Sequence, residues 1–338
     1  MKKILLFLLL SGVLSAQSNE VIDFKYRLND PKSTTKNLKV IDAREDKNIG
    51  QYSRKDKTYT FSFPTDNAKS DLENWFEKDN KKRGTKEIVI VLNKLKVYGK
   101  DGIENIRFAK IFISASSYLK IGSQYFLLKV VDETKTINPR EYQNISKTIA
   151  SAVGFGLNKL ITDSYTAEPS KITVPEDQLT NYEKYLTSDL AVFKTDQLQD
   201  GIYKDYTSFF NQKPLKGYEL IKDKNGQFVR AEGKNDKLRP DQIFIYVENG
   251  VGYKGTFGGF LKMEKDEKGF YIVSGLTLLD QGLTKYYFAP GSGGAIGGGL
   301  AALGNFILDK EQQKMLEKEK KEKVYLSPLT GEYIFEYE

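Results

Sequence analysis

The chain contains no cysteine and no histidine among its 338 residues. Without cysteine it cannot form disulfides, thiolate metal sites or a lipid anchor on a cysteine. Without histidine it has neither a Ser-His-Asp nor a Cys-His nucleophile system, and zinc sites of the usual type are excluded as well. Carboxylate pairs, Ser-Lys pairs and oxygen-only sites for calcium or magnesium remain available. We therefore expect no catalytic residue, no metal site and no cofactor.

The N-terminus has the pattern of a secretory signal. Lys2 and Lys3 precede an apolar run from residue 4 to residue 10, and a short segment of mainly small residues leads to Ala16. The apolar run is shorter than the ~20 residues that span a bilayer. We predict a signal peptide over residues 1–16 with cleavage after Ala16, although Leu14 is an imperfect residue for such a site. The protein is then exported, to the periplasm, to the outer membrane or out of the cell.

The balance of charge favours anionic partners only mildly. The full chain carries a formal charge of +7, and loss of Lys2 and Lys3 with the signal leaves about +5. Such an excess suits lipid headgroups or anionic envelope polymers. Lysines and carboxylates are interspersed, and no basic stripe carries interleaved aromatic residues, so nucleic acid is not expected as a partner.

The first half of the chain predicts an α+β fold, an antiparallel sheet with two packed helices over residues 37–165, after a flexible lead-in at 17–36. Short strands at 38–42 and 58–63 are followed by three β-rich runs that form an antiparallel meander. In the middle run, one face carries Lys110, Ser114 and Ser116, and we expect this face to be wet or weakly covered. The three β-rich runs cover residues 88–97, 106–119 and 125–131.

Local signals predict where the two helices begin and end. The first helix is expected after an N-cap at Thr65 or Asp66, with Gly84 just past its end. The second is expected to begin at Asn138, which is followed by proline and then by a glutamate three residues after the cap.

The second half of the chain predicts a mainly antiparallel β domain over residues 197–338. A linker with a connecting helix at 166–196 precedes it. The turn sequences 223–226, 248–250 and 266–269 separate aromatic-rich strands, and Asn249-Gly250 is the strongest hairpin signal. A glycine-rich segment at 289–308, a charged helix at about 309–323 and two short strands at 323–326 and 333–337 complete the domain.

An ordered set of short motifs runs through residues 37–163. It consists of Val40-Ile41-Asp42-Ala43-Arg44, Ile49-Gly50, Leu72 and Phe76 of the first helix, the strand from Ile88 to Leu95 and the helix through Leu160. On these residues, this part of the chain resembles the YajG-type family of envelope lipoproteins. The resemblance implies an envelope location and an α+β fold, with no reaction attached. The chain departs from that family because it lacks the anchoring cysteine, so the resemblance does not imply membrane tethering.

The second half resembles a module of other exported proteins that has no assigned activity. The resemblance begins at Gly201-Ile202-Tyr203-Lys204-Asp205-Tyr206 and continues at Phe209, Lys213-Pro214, Tyr253, Gly269-Phe270-Tyr271, Tyr325-Leu326 and Thr330-Gly331-Glu332.

Asp42 and Arg44 are the first candidate site. They lie two residues apart at a strand end, so their side chains share a face. One hypothesis is a charge pair that binds a partner. The alternative is a salt bridge at the rim of the sheet that holds the following loop.

The glycine-rich segment 289–308 is the second candidate site because it runs for twenty residues without a charge. Gly294 and Gly298 have the spacing that lets helices approach closely, and Leu300 and Leu303 supply apolar contact. This pattern predicts membrane contact, whereas its many glycines favour a flexible or tightly packed loop. No Lys-Ser or Lys-Thr follows the glycines, so a phosphate-binding loop is not predicted.

Three functions follow from these observations. The favoured one is a non-catalytic binding or scaffolding protein of the periplasm or outer membrane, with envelope proteins or anionic envelope polymers as partners. The second is a glycan hydrolase that uses two carboxylates about 5–10 Å apart. The third is association with a membrane through residues 289–308.

Overall fold

In the computed structural model, the β-branched residues of 88–97 form part of a long antiparallel hairpin. The structure describes residues 16–101, 106–224, 226–279, 314 and 316–335. The first half contains β1 Ala16–Val21, β2 Thr35–Asp42, β3 Gln51–Arg54, β4 Lys57–Ser62, β5 Lys86–Asp101, β6 Arg107–Ile121, β7 Gln124–Ile137 and β8 Thr173–Val174. They form a five-stranded sheet of order β2-β5-β6-β7-β8 and a three-stranded sheet of order β1-β4-β3. The fold is α+β and mainly antiparallel, as predicted, although β2 pairs with β5 and β1 pairs with β4 in parallel.

Two helices, α1 (Ala68–Asp79) and α2 (Ile145–Thr166), share one hydrophobic core with the five-stranded sheet. Gly154 of α2 lets the lead-in chain come close, because a Cβ atom there would lie 2.1 Å from the carbonyl oxygen of Asp23. The helices pack through apolar side chains three or four residues apart, namely Leu72, Trp75, Phe76, Ile145, Ile149, Val153, Leu157 and Leu160.

Helix α1 begins one or two residues later than predicted. Its N-cap is Asn67, whose side-chain oxygen accepts a hydrogen bond from the Ser70 N–H. Asp66 has a φ angle of +58°, and Thr65 donates from both its N–H and its hydroxyl to the carboxylate of Asp71. Both residues are therefore part of the turn that leads into the helix.

The end of α1 also differs from the prediction. Its C-cap is Asn80, whose N–H donates to the carbonyl oxygen of Phe76. Gly84 has another role, since a Cβ atom there would lie 2.0 Å from the carbonyl oxygen of Thr34. The glycine allows two backbone segments to touch.

Helix α2 begins at Ile145, with Asn144 as its N-cap, so the prediction of a start at Asn138 is wrong. The Asn138 side chain accepts from the N–H of Arg140, two residues on, and its carbonyl oxygen accepts from the N–H of Glu141. This bonding closes a turn that competes with a helical start.

The second face of the five-stranded sheet is covered, which corrects the expectation of a wet face. Lys110 and Ser116 are fully buried and Ser114 is 3% exposed. Leu179 and Tyr182 pack over this face, within a 3-10 helix (Glu176–Asn181) and α3 (Tyr182–Thr187). The polar residues misled the prediction because the elements that cover them come from far along the chain.

The lead-in at 17–36 is built into the structure. Part of it forms β1, and Leu28 is fully buried. The carboxylate of Asp30 accepts hydrogen bonds from the N–H groups of Thr34 and Thr35, at 2.7 and 2.8 Å. These contacts fix a segment that its polar composition had indicated to be flexible.

The second half is β-rich. It contains β9 Gly201–Tyr203, α4 Tyr206–Phe210, β10 Glu219–Lys222, β11 Phe228–Glu232, β12 Lys237–Leu238, β13 Ile245–Glu248, β14 Val251–Thr256, β15 Gly259–Asp266, β16 Gly269–Ser274, β17 Glu322–Leu326 and β18 Tyr333–Phe335. Seven strands form an antiparallel sheet of order β18-β17-β16-β15-β14-β13-β9, and β10, β11 and β12 form another. The hairpin predicted at Asn249-Gly250 is confirmed, with φ angles of +52° and +74°. Of the charged helix predicted at about 309–323, residues 314, 316 and 317 are helical. Its predicted end is wrong, because residues 318–321 are not helical and Glu322 and Lys323 belong to β17.

The β5–β6 hairpin joins the two halves. Ile106 and Phe108, near its tip, are buried in the core of the second half together with Phe209, Phe270 and Val324. The turn between β17 and β18 adds a polar contact, because the Ser327 hydroxyl donates to the carboxylate of Asp132 at 2.8 Å. The two sheets are therefore held against each other by a shared apolar core.

Candidate functional site

A cavity of about 1250 Å³ lies between the two halves, and we call it the interface cavity. One wall comes from β6, β7 and α2. The opposite wall comes from β11, the segment 240–244, the β14–β15 hairpin, and residues 332–335. Because both halves contribute, the cavity exists only when they are docked.

Apolar side chains form a large part of the walls, beside polar and charged ones. Phe155 projects from α2 and is 44% exposed, and Phe257 lies at the tip of the β14–β15 hairpin opposite. An apolar ligand that binds to such a surface buries its own apolar surface away from water. The apolar lining side chains are Ile111, Ile113, Ala152, Phe155, Phe228, Val229, Ile243, Phe244, Phe257, Phe260, Leu278, Leu279 and Phe335.

The β14–β15 hairpin is shaped by local hydrogen bonds. The Thr256 hydroxyl donates to the carbonyl oxygen of Gly259 at 2.8 Å and accepts from the N–H of Gly258. Gly259 has a φ angle of +113°, a conformation that residues with a Cβ atom rarely adopt. These features hold Phe257 at the cavity.

Several charged side chains line the cavity without a salt bridge inside the part of the chain that the structure describes. They are Glu133, Lys135, Lys204, Lys254 and Glu332. Such groups can pair with the polar parts of a ligand.

Lys254 is the most unusual of these groups because it is only 7% exposed. Its amine donates to the carbonyl oxygen of Gly255 at 2.8 Å and lies 4.2 Å from the ring centre of Phe244 and 5.2 Å from that of Tyr333. Burial lowers the pKa of Lys254 to about 8, and the charge of Glu332 opposes this shift only in part. The amine therefore titrates near pH 8, well below an ordinary lysine.

The pKa values of Glu332 and Tyr333 are raised, whereas that of Lys254 is lowered. The surrounding protein raises the pKa of Glu332, the charge of Glu133 raises it further, and Lys254 works against both. Burial also raises the pKa of Tyr333, whose hydroxyl donates to the carbonyl oxygen of Gly255 at 3.2 Å. In the cavity, the pKa of an amine is thus lowered and that of a carboxyl group is raised, so both groups are shifted toward their neutral forms.

The predicted pair Asp42 and Arg44 lies outside the interface cavity. The guanidinium donates to both carboxylate oxygens, at 2.8 and 2.9 Å, and to the carbonyl oxygen of Lys47. Arg44 is 3% exposed and stacks on the ring of Phe63. Burial opposes ionisation of Asp42, but the bonds from Arg44 outweigh it and lower the pKa of Asp42. These contacts favour the structural alternative, in which the pair holds the loop.

The predicted membrane-contact residues Gly294, Gly298, Leu300 and Leu303 lie outside the described residues. Among the helices that are described, none has the length and apolar character that crossing a bilayer requires. Membrane contact through 289–308 stays a prediction.

The described ranges contain no group of three or more acidic side chains arranged to hold a metal ion. The chain has no match to a family model, a curated protein or a solved structure. The functional argument therefore rests on the cavity and its side chains.

Sequence reasoning missed the cavity residues. Lys254 and Glu332 lie in ordinary strand and turn contexts, and Glu133 is 199 residues away from Glu332 along the chain. One local signal for the cavity was present in the sequence, namely the adjacent glycines Gly258 and Gly259 at the β14–β15 turn, which follow Phe257.

Proposed function

We propose that this protein is an exported binding protein that holds an amphipathic ligand in the interface cavity. The observation that carries the proposal is an open cavity in which aromatic side chains lie beside Glu133, Lys254 and Glu332, none of which forms a salt bridge within the described residues. Its volume of about 1250 Å³ exceeds the roughly 300–1,000 Å³ of common small-molecule sites. It therefore has room for a sizeable ligand with an apolar body and polar groups.

Export and an envelope location belong to the same proposal. The basic and apolar start of the chain supports export, and the resemblance of residues 37–163 to YajG-type modules supports the envelope. Envelope proteins and anionic envelope polymers remain the proposed partners.

Filling the cavity tests the proposal. The probe is anilinonaphthalene sulfonate, an amphipathic aromatic anion whose fluorescence rises in apolar sites. We expect saturable binding at one site per chain and at least tenfold weaker binding to Val229→Trp, because the indole occupies space in the cavity. Val273→Trp is the matched control, since Val273 is an exposed valine of β16 outside the lining. Equal binding by both variants, or no saturable binding by the native chain, contradicts the proposal.

A second candidate function is carboxylate-based glycan hydrolysis. Glu133 and Glu332 line the same cavity, and the raised pKa of Glu332 suits a general acid. Such a hydrolase requires two carboxylates in one cavity, and Glu133 and Glu332 meet that requirement.

Release of reducing ends from envelope polysaccharide measures this activity. If the chain is a hydrolase, Glu332→Gln should lower the rate at least 100-fold, because proton donation to the leaving group is lost. Glu267→Gln, at an exposed turn outside the cavity, should leave the rate unchanged. No release by the native chain would leave binding as the function of the cavity.

A further inference from the structure

A second depression, of about 410 Å³, adjoins the interface cavity along α2. The two share Lys135, Ala152 and Phe155 as lining residues. We call this second depression, without the interface cavity, the α2 groove. It runs along α2 from Asn144 to Phe155.

The floor of the groove follows the helical repeat. Lys147, Ser151 and Phe155 recur at four-residue intervals on one face of α2, and Lys159 continues this stripe beyond the groove. At 1.5 Å per residue, the twelve steps from Lys147 to Lys159 span about 18 Å. Ala152 lies beside this stripe, and its small side chain keeps the floor low. The dimensions suit an extended chain molecule.

Three lysines line the groove. Lys25 is paired with Asp23 at 3.0 Å. Lys135 and Lys147 form no salt bridge within the described residues. The groove therefore offers two uncompensated cations, one from strand β7 and one from helix α2.

Aromatic surface lies between these cations. Phe155 is 44% exposed and Tyr142 is 42% exposed. Tyr26 holds the ring of Phe155 in an edge-on contact at 5.5 Å, and the Lys135 amine lies 5.6 Å from the same ring centre. An exposed aromatic ring fixed between lysines suits a ligand with flat apolar faces and regularly placed negative charges.

We propose that the α2 groove binds a linear anionic polysaccharide. The apolar face of a sugar ring lies on Phe155, and the carboxylates of the chain pair with Lys135 and Lys147. The proposal rests on the groove alone and holds whether or not the interface cavity takes a separate ligand.

Charge reversal in the groove tests the proposal on the full exported chain. Polygalacturonate is the probe, dextran is the neutral polymer, and binding is measured by affinity electrophoresis at low salt. We expect Lys135→Glu/Lys147→Glu to weaken the binding of polygalacturonate at least tenfold. Lys82→Glu/Lys234→Glu changes the net charge equally at exposed lysines outside both depressions, and we expect a change of less than twofold.

Further measurements separate a built site from diffuse attraction. Phe155→Ser keeps the charge, and we expect it to weaken binding about three- to tenfold. Val229→Trp fills the interface cavity and should leave polygalacturonate binding intact. This variant therefore distinguishes failure of the cavity proposal from failure of the groove proposal. The groove proposal is overturned if the two double variants lose affinity equally, if dextran binds as well as polygalacturonate, or if vesicles of phosphatidylglycerol bind more tightly through the same lysines. Circular dichroism confirms that each variant is folded.

Discussion

Replacing Phe108 with alanine is expected to lower the free energy of unfolding by about 3–5 kcal/mol, the range for a fully buried phenylalanine. Phe108 belongs to β6 of the first half, yet it is fully buried in the core of the second half. The substitution removes apolar contacts that hold the halves together and leaves a void in that core. Urea unfolding followed by circular dichroism measures the loss.

The matched control is Phe155→Ala, because Phe155 is a phenylalanine of the same half with 44% of its surface exposed. We expect it to cost less than about 1 kcal/mol. We also expect one cooperative transition for the native chain, since the two halves share a core. Two separate transitions, or equal losses for both variants, would show that the hairpin tip does not bind the halves together.

Replacing Lys254 with methionine is expected to stabilise the protein at pH 7. Methionine has a similar length and no charge to bury, and the cation of Lys254 is disfavoured at its buried position, where its pKa falls from 10.5 to about 8. Each pH unit between these values corresponds to about 1.4 kcal/mol, so the two proteins should differ by a pH-dependent amount on the order of 3 kcal/mol.

The sign of the pH dependence follows from proton binding. Between about pH 8 and pH 10.5, the unfolded chain holds a proton on Lys254 more often than the folded chain does. The native protein therefore gains stability relative to the variant as the pH rises through this window, and below pH 8 the advantage of the variant is complete. Tyrosines that titrate in the same range are common to both proteins, so their effect cancels in the difference.

Urea unfolding of both proteins at pH 7.5 and pH 10 checks this result. Lys82→Met, at an exposed lysine, is the control and should give a difference that does not change with pH. A constant difference between the native chain and Lys254→Met at both pH values would mean that the amine is not desolvated. If Lys254 contacts the ligand, the stabilised variant should also bind the ligand more weakly. Polar groups that serve binding commonly lower the stability of the folded protein.

The elements of this fold that depend on local pattern could be predicted from the sequence. The alternating β-branched runs and short turns predicted the antiparallel meander, and Asn249-Gly250 predicted a hairpin through its positive φ angles. Helix starts were less certain because several residues near each start can cap. Asn138 closes a turn instead, and Asn144 caps the helix six residues later.

What could not be predicted depends on contacts between distant parts of the chain. Lys110 and Ser116 alternate with apolar residues as solvent-facing side chains do, yet both are fully buried. The interface cavity is of the same kind, since Glu133 and Glu332 are brought together by the docking of one sheet against another. No spacing in the sequence predicts that two residues so far apart along the chain lie close together in the fold.

Photo-crosslinking in the living cell tests the central claim, that the interface cavity is the ligand site, most directly. Benzoylphenylalanine is placed at Phe257, which lines the cavity, or at Val273, which is exposed elsewhere. The account predicts a discrete adduct at 257 that is lost when Val229→Trp is added, and none at 273. Equal labelling at both positions, or an adduct at 257 that survives the filled cavity, would contradict it.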